Sequence, residues 1–148
     1  MKKNIIFVCI FTFLSFSCSA GKSEEFIVRN VQWDYSKEQV IQSEGLPPRE
    51  IQGDILVYDG SLKNYTFTVL YGFDSNLKLD SIIFTNLDKY NTKVNEVLPL
   101  LLNEYTGKYG EPFRPTDNYY MWSVDDAMIS IDVIRDVINI IYGKPNTK

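Results

Sequence analysis

The hydrophobic pattern is clearest between residues 65 and 73. Tyr65, Phe67, Val69, Tyr71 and Phe73 fall on one face, and Thr66, Thr68, Leu70 and Gly72 on the other. Five apolar residues in strict alternation predict a β-strand. A β-rich run over 55–59 (ILVYD) precedes it, and 77–84 (LKLDSIIF) follows it after a turn at Asp74-Ser75-Asn76. Further on, 119–124 (YYMWSV), 127–133 (AMISIDV) and 137–142 (VINIIY) predict three more strands, joined by turns at Asp125-Asp126 and Arg135-Asp136. In the middle one, Ala127, Ile129, Ile131 and Val133 share a face opposite Met128, Ser130 and Asp132.

Helical period interrupts these strands twice. Ser36 is a good N-cap with Gln39 three residues on, a capping-box pattern. Val40 and Ile41 supply an apolar face, and Gly45 with Pro47-Pro48 ends a short helix over 36–44. A second helix is predicted from Val94, whose spacing continues through Val97, Leu98, Leu101, Tyr105 and Tyr109 to a stop at Gly110-Glu111-Pro112. Pro99 fits if Asn95 is near the cap; otherwise it kinks the axis, because proline lacks the N–H that an interior helical position donates. Ahead of the first helix, FIVRNVQW (26–33) predicts a short strand or an extended lead-in.

The order is helix, three strands, helix, three strands. The stretches 44–58 and 109–122 echo each other, each with Gly-x-Pro, an arginine, a polar loop with Asp and then an aromatic strand. The expected fold class is α+β: two αβββ units forming an antiparallel sheet, with helices packed on one face and the other face open.

The N-terminus changes the picture of where this domain works. Met1-Lys2-Lys3 leads an uncharged run from Asn4 to Gly21 that is apolar mainly between Ile5 and Phe16, the layout of a secretory signal peptide. The expected organisation is a signal peptide over 1–17, a tether over 18–25 and one domain over 26–148. Ser15-Phe16-Ser17 precede Cys18, with Leu14 one place earlier than a typical lipobox leucine. Lipidation of Cys18 is the expected fate; cleavage after Ala20, which removes it, and a free exported thiol are the alternatives. Lipidation would place the chain in a bacterial cell envelope, lipid-anchored, facing the periplasm or the surface.

Composition narrows the chemistry. The chain has no histidine, and its two cysteines, Cys9 and Cys18, both precede the folded part. That removes His-dependent nucleophile systems and imidazole or thiolate metal sites, and leaves an exported domain to stand on its core without disulfides. Lys2 and Lys3 depart with the signal peptide, leaving 13 basic against 19 acidic residues, a net charge of −6. Such a chain carries no electrostatic footprint for nucleic acid.

The remaining candidates are modest. Asp125-Asp126 is an adjacent acidic pair of the kind suited to acid–base work, but its place between two strands makes a hairpin turn the simpler explanation. Asp74, Asn76 and Asp80 faintly resemble a calcium loop without its glycine and terminal glutamate. Trp33, Trp122 and the ten tyrosines suit a binding surface or, more simply, a disulfide-free core. The candidate partner-binding residues are those predicted on the non-core strand faces: Thr66, Thr68, Met128, Ser130, Asp132 and Asn139, joined by Tyr119 and Met121. No cofactor and no metal are expected.

Trp33, Ser36, Val40, Gly45, Pro47, Tyr58, Phe73, Leu79, Tyr109, Gly110 and Pro112 carry a further likeness. Over most of residues 28–142 the chain resembles the β-lactamase-inhibitor-protein-like fold and the related SmpA/OmlA (BamE-like) lipoproteins of the bacterial envelope. These positions are caps, turns and core residues. The chain departs from the SmpA/OmlA pattern, a helical hairpin plus three strands, in having two simpler units. The resemblance implies a scaffold that works by contact through an exposed sheet face or loop tips, with no cofactor. The functional expectation is a membrane-anchored, non-catalytic binding module for an envelope protein or peptide. The alternatives are an exported carboxylate-dependent hydrolase and a surface structural or antigenic lipoprotein without a tight partner.

Overall fold

In a computed structural model, residues 28–62, 64–86, 94–113 and 115–145 are described, and the expected signal peptide, the tether and Cys18 lie outside them. The fold is α+β. Helix α1 (Lys37–Glu44) is followed by strands β1 (Glu50–Gln52), β2 (Ile55–Leu62), β3 (Tyr65–Phe73) and β4 (Leu79–Thr85). Helix α2 (Val94–Tyr109) then leads to β5 (Tyr119–Val124), β6 (Ala127–Ile134) and β7 (Val137–Gly143). All pairings are antiparallel, in the order β1-β2-β3-β4-β7-β6-β5. Two meanders therefore meet through their last strands, β4 and β7, at the middle of the sheet.

Local chemistry sets the boundaries. Ser36 accepts a bond from the Gln39 N–H at 3.3 Å, and the Ser36 N–H donates to the Gln39 side chain at 2.8 Å. This closes the capping box at the start of α1. Gly45 ends the helix at φ 71°, a left-handed conformation that favours glycine, and donates its N–H to the Ile41 carbonyl at 3.2 Å. Helix α2 is already under way at Val94, so Pro99 lies beyond its first turn. Pro99 is exposed, as is Asn95, so the carbonyl it leaves without a helical donor is near solvent. The helix runs through Gly107 and stops at Gly110 (φ 82°).

Two expected turns follow their chemistry. Asp74 turns the chain between β3 and β4 by accepting bonds from the backbone N–H groups of Asn76 and Lys78 at 2.8 and 2.9 Å. Its carboxylate is thus committed to the turn. Arg135 and Asp136 both have positive φ, as a two-residue type I′ hairpin requires. The lead-in forms a single bridge, Val28 to Val31, around Arg29-Asn30.

One hydrophobic cluster occupies the face covered by the helices. Val40 of α1 and Val97, Leu101 and Tyr105 of α2 join Leu56, Tyr58, Phe67, Val69, Tyr71, Ile82, Phe84, Trp122, Ile129, Ile131, Ile138, Ile140 and Tyr142 from the strands. Each fully buried Ile or Leu contributes about 1.5–3 kcal/mol, so such a core can replace absent disulfides. The core aromatics are structural. Phe67–Phe84 and Phe84–Tyr142 pack edge to face at 6.5 and 5.9 Å. Trp122 and Trp33 donate their indole N–H groups to the carbonyls of Gly110 and Asp126 at 2.8 and 2.6 Å.

Both sheet edges are partly blunted. β1 has three residues, and the outer side of β5 is occupied by Phe113 and Thr116, whose N–H groups bond Met121 and Tyr119 at 2.9 and 2.8 Å. β1 pairs only with Ile55, Leu56 and Val57 of β2, so short or covered stretches, which offer little template for another strand, make up part of each edge.

Candidate functional site

Strand parity builds the second face. Side chains alternate, and antiparallel partners point the same way, so two rows cross the sheet there. One reads Val57, Leu70, Ile83, Ile141, Ser130, Met121; the other reads Asp59, Thr68, Thr85, Asn139, Asp132, Tyr119. The first row is aliphatic over four strands. The second is polar over all six.

Between these rows the sheet holds a trough of about 460 Å³. Val57, Leu70, Ile83 and Ile141 form its apolar part; Thr68, Thr85, Asn139 and Asp132 form its polar part, with Arg49 and Gln52 at the β1 side. Val57 is 2% and Thr85 6% exposed, so the floor is set below the general surface. A concave, mainly apolar surface with a few fixed polar groups is the usual form of a ligand site, and this volume lies within the range of about 300–1,000 Å³.

Two charged groups mark opposite ends. Arg49 pairs with Asp59. Asp132 accepts a bond from the Asn139 side-chain amide at 2.7 Å on Oδ1, which orients the carboxylate while Oδ2 has no bonded partner among the described residues. Asp132 is the sole carboxylate lining the trough among those residues.

The eight candidate residues all lie on this face, at different distances from the trough. Thr68, Asp132 and Asn139 line it. Thr66 pairs with Ser61 toward the β2–β3 hairpin, outside it. Tyr119, Met121 and Met128 are half-buried on the β5–β6 flank. Ser130, 9% exposed, stands in register between Ile141 and Met121 and does not line the trough.

Sequence reasoning missed Arg49, Gln52 and the aliphatic part of the trough. Leu70 was recognisable, since alternation places it with Thr66 and Thr68. Ile83 and Ile141 were not, because each stands beside another isoleucine that faces the core. Asp125 and Asp126 occupy the β5–β6 turn, where the Asp126 carbonyl holds Trp33.

A second polar cluster lies on the helical side. Arg29 donates to both oxygens of Glu44, at 3.0 and 2.7 Å, and the Tyr71 hydroxyl donates to the same carboxylate. The Glu44 side chain is 7% exposed. Burial pushes its pKa up, but the bonds from Arg29 and Tyr71 outweigh burial and hold it below the usual carboxylate value. The bond to Glu44 raises Arg29, and burial, with that same carboxylate, raises Tyr71. Every lone pair of Glu44 that matters is thus committed to holding the lead-in against α1 and the sheet.

No family model, curated protein or solved structure matches this chain. Among the described residues, no helix is long and apolar enough to cross a membrane, and no group of three or more acidic or cysteine side chains is arranged to hold a metal ion.

Proposed function

We propose that this protein is an exported, membrane-anchored lipoprotein of the bacterial envelope that acts as a non-catalytic binding module for another envelope protein or a peptide. The observation that carries this reading is the trough of about 460 Å³ on the sheet face opposite the helices, aliphatic along one row and polar along the next. Apolar lining provides affinity, and the fixed polar row orients what binds. A single carboxylate in the trough among the described residues favours binding over hydrolysis, which would draw on two converging acids.

Arg29 joins the domain on the helical side, where its guanidinium meets Glu44 and Gly60. Nine residues lie between Cys18 and Val28, a reach of up to about 35 Å, long enough for the trough to face away from a membrane that holds a lipid on Cys18. The first meander has four strands and the second three, one more than the expected three and three; with β1 set aside as an addition, β2–β4 and β5–β7 meeting at β4 and β7 support a duplicated αβββ unit, in keeping with the resemblance to β-lactamase-inhibitor-protein-like and SmpA/OmlA folds.

Mass spectrometry of the mature N-terminus tests the anchor: a diacylated chain beginning at Cys18 is expected, and an unmodified chain beginning at Gly21 overturns it. Crosslinking and capture from envelope extracts test the face. Leu70→Glu, which puts a charge in the aliphatic row, should abolish recovery of a partner that Thr66→Lys leaves largely intact. Equal recovery with Leu70→Glu would rule out the trough.

A further inference from the structure

Resting on that reading of the trough, we infer that its ligand is a peptide segment with an aliphatic stretch followed by a basic side chain, and that Asp132 receives the basic group. The aliphatic row sets the length. Val57, Leu70, Ile83 and Ile141 stand on four neighbouring strands, which at about 4.8 Å per strand covers roughly 14 Å. That is the length of about four extended residues. Asp132 lies on β6, one strand beyond Ile141, in the adjoining polar row.

Charge sets the identity of the terminal group. Arg49 is balanced by Asp59 at the other end, so the unbalanced charge of the trough is the Asp132 carboxylate. Its Oδ1 is held by Asn139 at 2.7 Å, which fixes the direction in which Oδ2 points. A half-buried carboxylate with one oriented oxygen forms a charge-assisted bond with an ammonium or guanidinium and repels another carboxylate. A neutral aliphatic segment would use the floor and leave Asp132 unmatched.

The test uses the full mature chain in detergent and three labelled peptides: acetyl-Val-Leu-Ile-Val-Lys-amide and its versions with Gln or Glu in the last position. Fluorescence anisotropy reads affinity, and chemical-shift changes of the Ile and Leu methyl groups read location. The lysine peptide should bind about tenfold more tightly than the glutamine peptide, and more tightly still than the glutamate peptide. It should shift the methyl signals of Leu70, Ile83 and Ile141. Asp132→Asn, which keeps the shape, should bring the lysine and glutamine peptides to equal affinity while both still bind.

Equal affinities on the unaltered protein overturn the inference, as does a lysine preference that survives Asp132→Asn. Absence of binding by all three peptides also overturns it. That result leaves partner capture through the face standing if Leu70→Glu still abolishes capture; failure of both overturns the trough altogether.

Discussion

Glu44 and Asp132 are carboxylates on opposite sides of one sheet, and each is oriented by a neighbouring side chain. Their surroundings differ in what is left over. Glu44 is 7% exposed and receives two bonds from Arg29 and one from Tyr71, so three of its roughly four acceptor positions are filled and burial closes it to a ligand. Asp132 is half-buried at the end of a trough and receives one bond, from Asn139. A buried carboxylate with all its partners belongs to the architecture. One that is oriented but incompletely bonded in a concavity is equipped for recognition.

The comparison is broken most forcefully by removing Glu44. Glu44→Ala leaves Arg29 without its counter-charge and the fully buried Tyr71 hydroxyl without its acceptor, and should destabilise the fold by about 3–4 kcal/mol. Urea denaturation reads this directly. Acid should reach the same cluster. Because the folded-state pKa of Glu44 is depressed, its contribution is present above the ordinary value of 4.5 and is lost as pH falls through the lower folded value. The stability gap between the unaltered protein and Glu44→Gln should therefore narrow below about pH 4.5. A gap that persists unchanged into strong acid would contradict this account.

A smaller perturbation reaches the same cluster through the backbone. A Cβ on Gly60 would lie 2.6 Å from Arg29 Nη1 and 2.8 Å from Val69 Cγ2. The guanidinium is tied to Glu44 and Val69 is fully buried, so neither yields freely. Gly60→Ala should destabilise by about 1–2 kcal/mol, and the loss should be smaller in a Glu44→Gln background, where Arg29 is less tightly held.

Much of the scaffold was legible from short-range signals. β3 and β5 span the residues expected of them, 65–73 and 119–124, and α1 follows its Ser36–Gln39 box to Gly45. β1 was not legible: Glu50-Ile51-Gln52 is a three-residue edge with two polar side chains, held by its pairing with β2 and not by its own pattern. The placement of β4 beside β7 depends on contacts between distant segments, which local periodicity does not encode. The candidate face was legible through its polar members. The aliphatic half of the trough was not, because Ile82-Ile83 and Ile140-Ile141 put isoleucine on both faces and composition cannot choose between them. The Arg29–Glu44–Tyr71 cluster spans sequence separations of 15 and 27 residues and gave no local sign.

The finest test applies one chemical change, carboxylate to amide, at both sites. Glu44→Gln keeps the shape but weakens two charge-assisted bonds from Arg29, and should destabilise by about 2 kcal/mol. Asp132→Asn alters a group with one bonded partner and access to water, and its amide oxygen still accepts from Asn139. Its effect on stability should stay within about 0.5 kcal/mol, while the preference for a basic ligand disappears. Calorimetry on the two variants, set beside peptide binding, separates these roles. Were Asp132→Asn to lower stability as much as Glu44→Gln, the Asp132–Asn139 pair would be a structural tie within the sheet, and the trough would lose the group assigned to select its ligand.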